Sequence, residues 1–441
     1  MKRSLILTAV LLFSVASYSL TLTEAIEKAM DENLQLQVQE LSFSTAKLDE
    51  AKAVTSFLPK LTGSGTFLHL DTVPTTKTLN PATGMPMDIQ VALQDNYSYD
   101  VKLTQPVFLG GKLVLGYLMT KDKAASAKND LMKAKSDIKL SVIQLYLSGL
   151  LTEEMLSVNK KVLETKKEHL ATVQARYGYG TASKIELLSS EIDVKNLEVQ
   201  VLEMEKNRDN VYRTLNFIMG REVNEEISLS DTLGDYIPQM FDTLGIDSMT
   251  KESLVNIALQ EKKEIKSAQL TRNIVKKSHL MNQLSFLPNV ALFSQYTYKN
   301  YYSRYTADTI YYDGSINFGV SATVDIFSGG AKVIDVLKSG RQVKQTEMAL
   351  SMLKEKTLLD IEYLKAGYEN SKKSIEMFEA TVLLSDEAYR TAQEQYSRGI
   401  ISNNDYLDAE TNFLKTRSGY LKAVYDKVIS GISLLNSIGA L

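Results

Sequence analysis

The stretch Phe57-Leu58-Pro59 recurs 229 residues further along the chain as Phe286-Leu287-Pro288. Beyond it, Gly110-Gly111-Lys112 is matched by Gly329-Gly330-Ala331-Lys332 at an offset of 219 residues. Two constant offsets, joined by a single ten-residue change between Pro59 and Gly110, indicate that the chain is an internal duplication. The change in offset marks a loop that is longer in the first copy.

Each copy is predicted to run in the order helix, two strands, long helix, turn and helix. The seven prolines avoid 107–237 and 289–441. Because proline breaks helix interiors, both stretches can hold very long helices. We predict one at 112–176 and another at 332–395, each with an apolar stripe that neighbouring helices must cover.

Shorter helices are predicted on either side of these long ones. In the first copy they span 22–56 and 183–218, and together they nearly match the length of one long helix. We therefore expect two short helices, stacked end to end, to lie beside one continuous helix.

The segments between the helices alternate apolar and polar residues, which predicts two strands per copy, within 61–108 and 290–327. Val101, Leu103 and Phe318 are among the apolar positions. One interpretation is a soluble sheet with one buried face. The other is a transmembrane barrel whose apolar residues meet lipid. We favour the barrel, because the chain is predicted to be exported and has no later apolar helix that could span a membrane. Because four strands leave two edges open in hydrocarbon, a barrel requires several copies of the chain.

Residues 1–19 combine a positively charged start, a short apolar run and small residues at a cleavage position, which predicts a signal peptide. Between the copies the helical periodicity is lost, which predicts a connector. The predicted organisation is, in chain order, signal peptide 1–19, first repeat 20–220 with a hairpin tip at 177–183, equatorial connector 221–250, and second repeat 251–441 with a tip at 396–402.

The composition argues against several functions. The net charge of −3 offers no basic face for nucleic acid. The chain has no cysteine, and its three histidines lie far apart in sequence, so we predict no metal site and no cofactor. No catalytic motif is present, and we predict that the protein is not an enzyme.

Five stretches carry a resemblance to a known family: LTLTEAIEKAMDENLQL (20–36), LTQPVFLGGK (103–112), VDIFSGGAK (324–332), RYGYGTAS (176–183) and QYSRGIISNNDYLDA (395–409). Their order and spacing resemble the TolC family of outer-membrane efflux channels. The resemblance implies a membrane α+β fold. Three chains would form a twelve-stranded outer-membrane β-barrel, in contact with lipid, that a long α-helical barrel continues into the periplasm.

The resemblance also implies a function. Such a channel is the exit duct of a tripartite efflux or type I secretion system, and helical hairpins gate it at the periplasmic end. The implied partners are two further copies of the chain, a periplasmic adaptor and an inner-membrane transporter of the RND, ABC or MFS class. The alternative is a periplasmic adaptor or a structural coiled-coil protein of an export complex. The sequence specifies neither the cargo nor the transporter.

The resemblance places acidic rings at the pore constriction, here Asp405, Asp408 and Glu186. The residues alone leave another interpretation open, because Ser183 with Glu186 and Ser402 with Asp405 have the spacing of helix-capping boxes. Arg176 and Arg398 are the basic residues available for gate links, since Ile401 occupies the family's basic position. The resemblance also implies the following adaptor-contacting residues at the tips: Tyr177, Gly180, Thr181, Ser183, Gly399 and Ser402.

Overall fold

The computed structural model describes residues 18–233, 245–302 and 310–441. Residues 1–17 of the predicted signal peptide and residues 234–244 of the predicted connector therefore lie outside the described residues. The described residues form two compact units. The first consists of the described residues within Met1–Leu41, Asn129–Lys266 and Ser351–Leu441, and the second of those within Ser42–Lys128 and Ser267–Leu350.

The same set of helices occurs in both copies. The first copy has α1 (Leu22–Glu32), α2 (Leu34–Thr55), α3 (Lys112–Gly178) and α4 (Lys184–Ile218). The second has α5 (Lys251–Glu261), α6 (Lys263–Gln283), α7 (Ala331–Ser397) and α8 (Asn403–Ile438). The long helices α3 and α7 have 67 residues each, and their ends lie within two residues of the predicted ones.

The prediction of one helix over 22–56 was wrong, because the chain breaks that helix at Asn33. The Asn33 side-chain amide donates to the Ile218 carbonyl at 2.7 Å, and its carbonyl oxygen accepts from the Leu36 backbone N–H at 2.9 Å. The backbone of Asn33 is extended rather than helical. Lys262 makes the corresponding break between α5 and α6.

Four antiparallel strands form one sheet: β2 (Lys60–His69), β5 (Asp95–Leu109), β7 (Asn289–Tyr302) and β8 (Ile310–Thr323). Their order is β2-β5-β7-β8, so the two copies meet at the central pair β5–β7. Among the described residues, β2 and β8 each have a strand partner on one side only. The sheet therefore ends in two open edges.

One face of this sheet is apolar. Val101 lies opposite Tyr296, which in turn lies opposite Ile316. The apolar side chains of this face are exposed, Phe318 to 84%. On the other face, the Asp100 carboxylate accepts hydrogen bonds from Ser98, Gln295 and Thr297. A soluble sheet would bury its apolar face in the chain's own core, whereas this exposed face suits contact with lipid.

The loop that is longer in the first copy contains a second small sheet. Strands β3 (Thr75–Leu79) and β4 (Pro86–Gln90) pair antiparallel. This hairpin accounts for the extra length of the first copy between its strands. Threonine and lysine dominate β3, so this strand lacks the apolar alternation that predicts the strands of the main sheet.

The connector and the start of the described chain pair with each other. Strand β1 (Tyr18–Leu20) runs parallel to β6 (Ile227–Leu229). The buried Tyr146 hydroxyl lies 2.7 Å from the Leu20 carbonyl and 2.6 Å from the Asp231 carboxylate. Burial raises the pKa of Tyr146, so this hydroxyl stays protonated and can donate.

The core of the first unit is made of apolar side chains from helices of both copies. Tyr146, Leu150, Leu254 and Tyr368 are among its largest fully buried residues. In the described part of the chain no helix has both the length and the apolar content needed to span a bilayer.

Candidate functional site at the hairpin tips

Each copy reverses direction between two antiparallel helices at a glycine. Gly180 has φ +74° and Gly399 has φ +72°, a conformation that costs other residues steric strain. After each turn a serine caps the next helix. The Ser183 hydroxyl accepts from the Glu186 N–H at 3.1 Å, and the Ser402 hydroxyl accepts from the Asp405 N–H at 3.2 Å.

The two caps differ in what the acid does. The Asp405 carboxylate completes a capping box, since it accepts from the Ser402 backbone N–H at 3.2 Å and from its hydroxyl at 2.7 Å. The Glu186 carboxylate turns away from its own cap and instead binds Arg176 and Tyr396. Glu186 and Asp405 each follow their capping serine by three residues, but only Asp405 completes a capping box.

The link made by Glu186 joins the two copies. The Tyr396 hydroxyl donates to the Glu186 carboxylate at 2.8 Å, and the Arg176 guanidinium lies 3.3 Å from the same oxygen. Arg176 also donates to the Tyr396 hydroxyl at 3.1 Å. Burial and the neighbouring Glu186 charge raise the pKa of Tyr396 to about 12. We call these three residues the tip link; they tie α3 and α4 of the first copy to α7 of the second.

The other predicted tip residues lie at the surface. Arg398, the first residue after α7, pairs with Glu394 of that helix at 3.8 Å, so within this chain Arg176, and not Arg398, connects the hairpins. Asp405 and Asp408 are both exposed. The six predicted adaptor-contacting residues are exposed as well: Tyr177, Gly180, Thr181, Ser183, Gly399 and Ser402. Their roles toward other chains stay predictions.

A cavity of about 360 Å³ lies between the two tips. Its lining includes Arg176 and Glu186 of the first copy and Tyr396, Gly399 and Ser402 of the second. The tip link thus borders an opening whose walls come from both copies. Among the described residues, no group of acidic and histidine side chains is arranged to hold a metal ion.

Sequence reasoning missed a buried polar cluster further along the same helices. Glu410 of α8 is fully buried and forms an ion pair with Lys166 of α3. His169, one turn from Lys166, contacts the Asn403 amide oxygen at 2.8 Å. Burial raises the pKa of Glu410 and lowers that of His169. The available signal was a carboxylate in the apolar stripe of α8, four residues after the buried Tyr406.

Comparison with known proteins identifies the family. The sequence profile of the family described as Outer membrane efflux protein matches residues 25–221 and 254–440. No curated protein matches the chain in sequence.

Solved structures share its fold. The outer membrane channel CmeC of Campylobacter jejuni is 18% identical and aligns over 95% of this chain and 85% of its own, with a TM-score of 0.79. A membrane protein from Pseudomonas aeruginosa is 15% identical and aligns over 95% and 92%, with a TM-score of 0.78. The MtrE outer membrane channel of Neisseria gonorrhoeae, solved in its open state, is 15% identical and aligns over 95% and 88%, with a TM-score of 0.75.

The profile match spans both copies and most of the described elements. It favours a channel over the alternative of a periplasmic adaptor. The protein is an outer-membrane efflux channel rather than an enzyme, and the chain belongs to the Outer membrane efflux protein family.

Proposed function

We propose that three copies of the chain form the exit duct of a tripartite efflux or type I secretion system, gated by the hairpin tips at its periplasmic end. The tip link carries the gating part of this proposal. It joins the first-copy hairpin to the second-copy hairpin through Arg176, Glu186 and Tyr396. A gate that opens by moving one hairpin away from the other has to break these contacts.

The tip link is suited to reversible opening because water reaches it. The Arg176 side chain is 41% exposed, so its charge can be solvated when Glu186 moves away. Exposed ion pairs are worth only about 0–1 kcal/mol. A partner that binds the exposed tips can supply a free energy of this size, and the proposed partner is a periplasmic adaptor recruited with an inner-membrane transporter.

The number of chains follows from the sheet and from the family resemblance. Both edges of the sheet are open, and its apolar face is exposed. Pairing β8 of one chain with β2 of the next chain would satisfy the backbone donors and acceptors of both edges. The family resemblance implies three chains, and four strands from each chain give twelve strands.

The acidic residues after the second tip complete the proposal. In a trimer, Asp405 and Asp408 would contribute six carboxylates around the mouth of the duct. A ring of carboxylates favours cations over anions. The exposure of both side chains supports this role, and Asp405 would combine it with capping α8.

Single-channel conductance in planar bilayers tests the gate. We expect Arg176→Ala with Tyr396→Phe to increase the mean conductance several-fold over wild type, because both contacts to Glu186 lose a donor. Arg398→Ala is the matched control, since it removes a charge of the same sign at the other tip without touching the tip link. Equal conductance of all three proteins would contradict the proposed gate.

A further inference from the structure

A second contact joins the same two hairpins deeper in the helices. Lys166 of α3 and Glu410 of α8 form an ion pair whose side chains are 12% and 0% exposed. The pair lies ten residues before Arg176 on α3 and five residues after Asp405 on α8. We call it the buried pair. Like the tip link, it connects the first copy to the second.

Aromatic rings shield the buried pair from water. Tyr406 is 2% exposed and precedes Glu410 by one helical turn. The Tyr389 ring packs against Phe413, which follows Glu410 by nearly one turn, with centroids 5.2 Å apart. The centroids of Tyr389 and Tyr406 are 6.1 Å apart. Residues on both helices of the second copy therefore surround the Glu410 carboxylate.

The buried pair and the tip link differ in the consequence of separation. If the tip link opens, water solvates its charges. If the buried pair opened, Glu410 would be left charged in an apolar environment, where an unpaired charge is far more unfavourable. Of two contacts between the same hairpins, the exposed one is the easier to break. A movement that opens the tips is therefore expected to leave the buried pair intact.

We propose that the Lys166–Glu410 pair is a pivot, which stays formed while the hairpins open and confines their movement to the helix segments between the pair and the turns. This inference rests on the proposed gating by the tips. It adds that the moving segments of the hairpins end at the buried pair. Lys166 and Glu410 act as positioning residues, because neither is proposed to meet the cargo.

Spin-label distances measure the movement on both sides of the pair. The chain has no cysteine, so labels can be attached to introduced ones only. The tip pair is Tyr179→Cys with Ile400→Cys, and the pivot pair is Glu168→Cys with Asn412→Cys; all four positions are exposed. Each pair is measured with the native tip link and with Arg176→Ala plus Tyr396→Phe, in trimers that carry one labelled chain.

We expect opening to shift the tip distance to longer values and to leave the pivot distance unchanged. If both distances lengthen, the hairpins separate along their length and the pivot is wrong, although the gate stands. If neither distance changes and the conductance stays at the wild-type level, the gate itself fails and the pivot fails with it.

A cross-link provides a second test in which the buried pair is replaced by a covalent bond. Lys166→Cys with Glu410→Cys, joined by a short bifunctional thiol reagent, is expected to leave the raised conductance of the tip-link variant unchanged. Glu186→Cys with Tyr396→Cys also removes the tip link, and joining these two cysteines in the same way is expected to reduce the raised conductance of that variant to the wild-type level. A block by the first cross-link would overturn the pivot.

Discussion

At the scale of single residues, two glycines hold equivalent junctions in the two copies. Gly220 follows α4 and packs against Glu32 at the break between α1 and α2. Gly439 follows α8 and packs against Glu261 at the break between α5 and α6. A Cβ on Gly220 would lie 2.4 Å from the Glu32 carbonyl oxygen, and one on Gly439 would lie 3.0 Å from that of Glu261.

Gly220→Ala should therefore destabilise the protein more than Gly180→Ala does. The two glycines have φ values of +75° and +74°, but nothing lies within 4 Å of a Cβ on Gly180. Gly180→Ala should cost about 1–2 kcal/mol for the left-handed backbone. Gly220→Ala should add about 1–3 kcal/mol for the clash. Thermal unfolding in detergent compares the two variants. Equal midpoints would show that the backbone at Glu32 moves to accommodate the Cβ at position 220 with no loss of stability.

His169 predicts a pH effect on the packed hairpins. Burial lowers its pKa below the ordinary value of 6.5, so the packed state binds fewer protons than a state in which His169 meets water. The stability that neutral His169 contributes is present above about pH 6.5 and is lost as the pH falls through the lowered pKa.

Conductance of wild type and His169→Gln between about pH 7.5 and 5 measures this effect. Wild type should open more readily toward the acid end, and the variant should lack that part of the response. Lys166, Arg176, Glu186 and Glu410 are present in both proteins. The titration of Glu410, whose pKa is raised by burial, is therefore common to both curves. Parallel curves would exclude His169 as the cause.

At the scale of elements, the sequence predicted the long helices far better than their partners. The absence of proline and the tip glycines were enough to locate α3 and α7, because long helices depend on local rules. The break at Asn33 depends on a tertiary contact with Ile218, 185 residues away, and no local glycine or proline marks it. Likewise, Glu186 turns from its cap toward Arg176 and toward Tyr396, which lies 210 residues away on the other copy.

The start of α8 lets capping and pore charge be tested separately. Asp405→Asn keeps an acceptor for the Ser402 N–H and removes the charge, whereas Asp405→Ala removes both. We expect Asp405→Asn with Asp408→Asn to weaken the cation preference of the channel at nearly unchanged thermal stability. Asp405→Ala should in addition cost about 1 kcal/mol of stability. Reversal potentials in a salt gradient report the preference. A preference unchanged in the double Asn variant would leave Asp405 with its capping role alone.

At the scale of the whole molecule, the open sheet edges are the structural reason for the proposed assembly. Apolar alternation predicted the strands, but it fixed neither their order nor the pairing of β5 with β7, which joins residues about 200 positions apart. Long-range pairing of this kind follows from the fold as a whole. The exposed apolar face and the edges β2 and β8 are the features that isolated chains cannot satisfy.

Purified protein in detergent should therefore have the molar mass of three chains when measured by light scattering corrected for detergent. Replacing Ile316, Phe318 and Val320 with serine should lower the fraction that inserts into bilayers, because these side chains are exposed on the apolar face. Replacing Thr62, Ser64 and Thr66 of the polar face with alanine is the control and should not lower it. A monomer that inserts and conducts would contradict the shared barrel.

The strand order β2-β5-β7-β8 has an evolutionary consequence. Inside the chain, the second strand of copy one lies beside the first strand of copy two. In a closed ring of chains, the second strand of copy two would meet the first strand of copy one in the next chain, which is the same kind of neighbour. An ancestor with a single copy would thus have closed its ring from six equal polypeptides. Fusion of two such copies into one chain would have let the halves diverge, as in the buried pair, whose Lys166 lies in one half and Glu410 in the other.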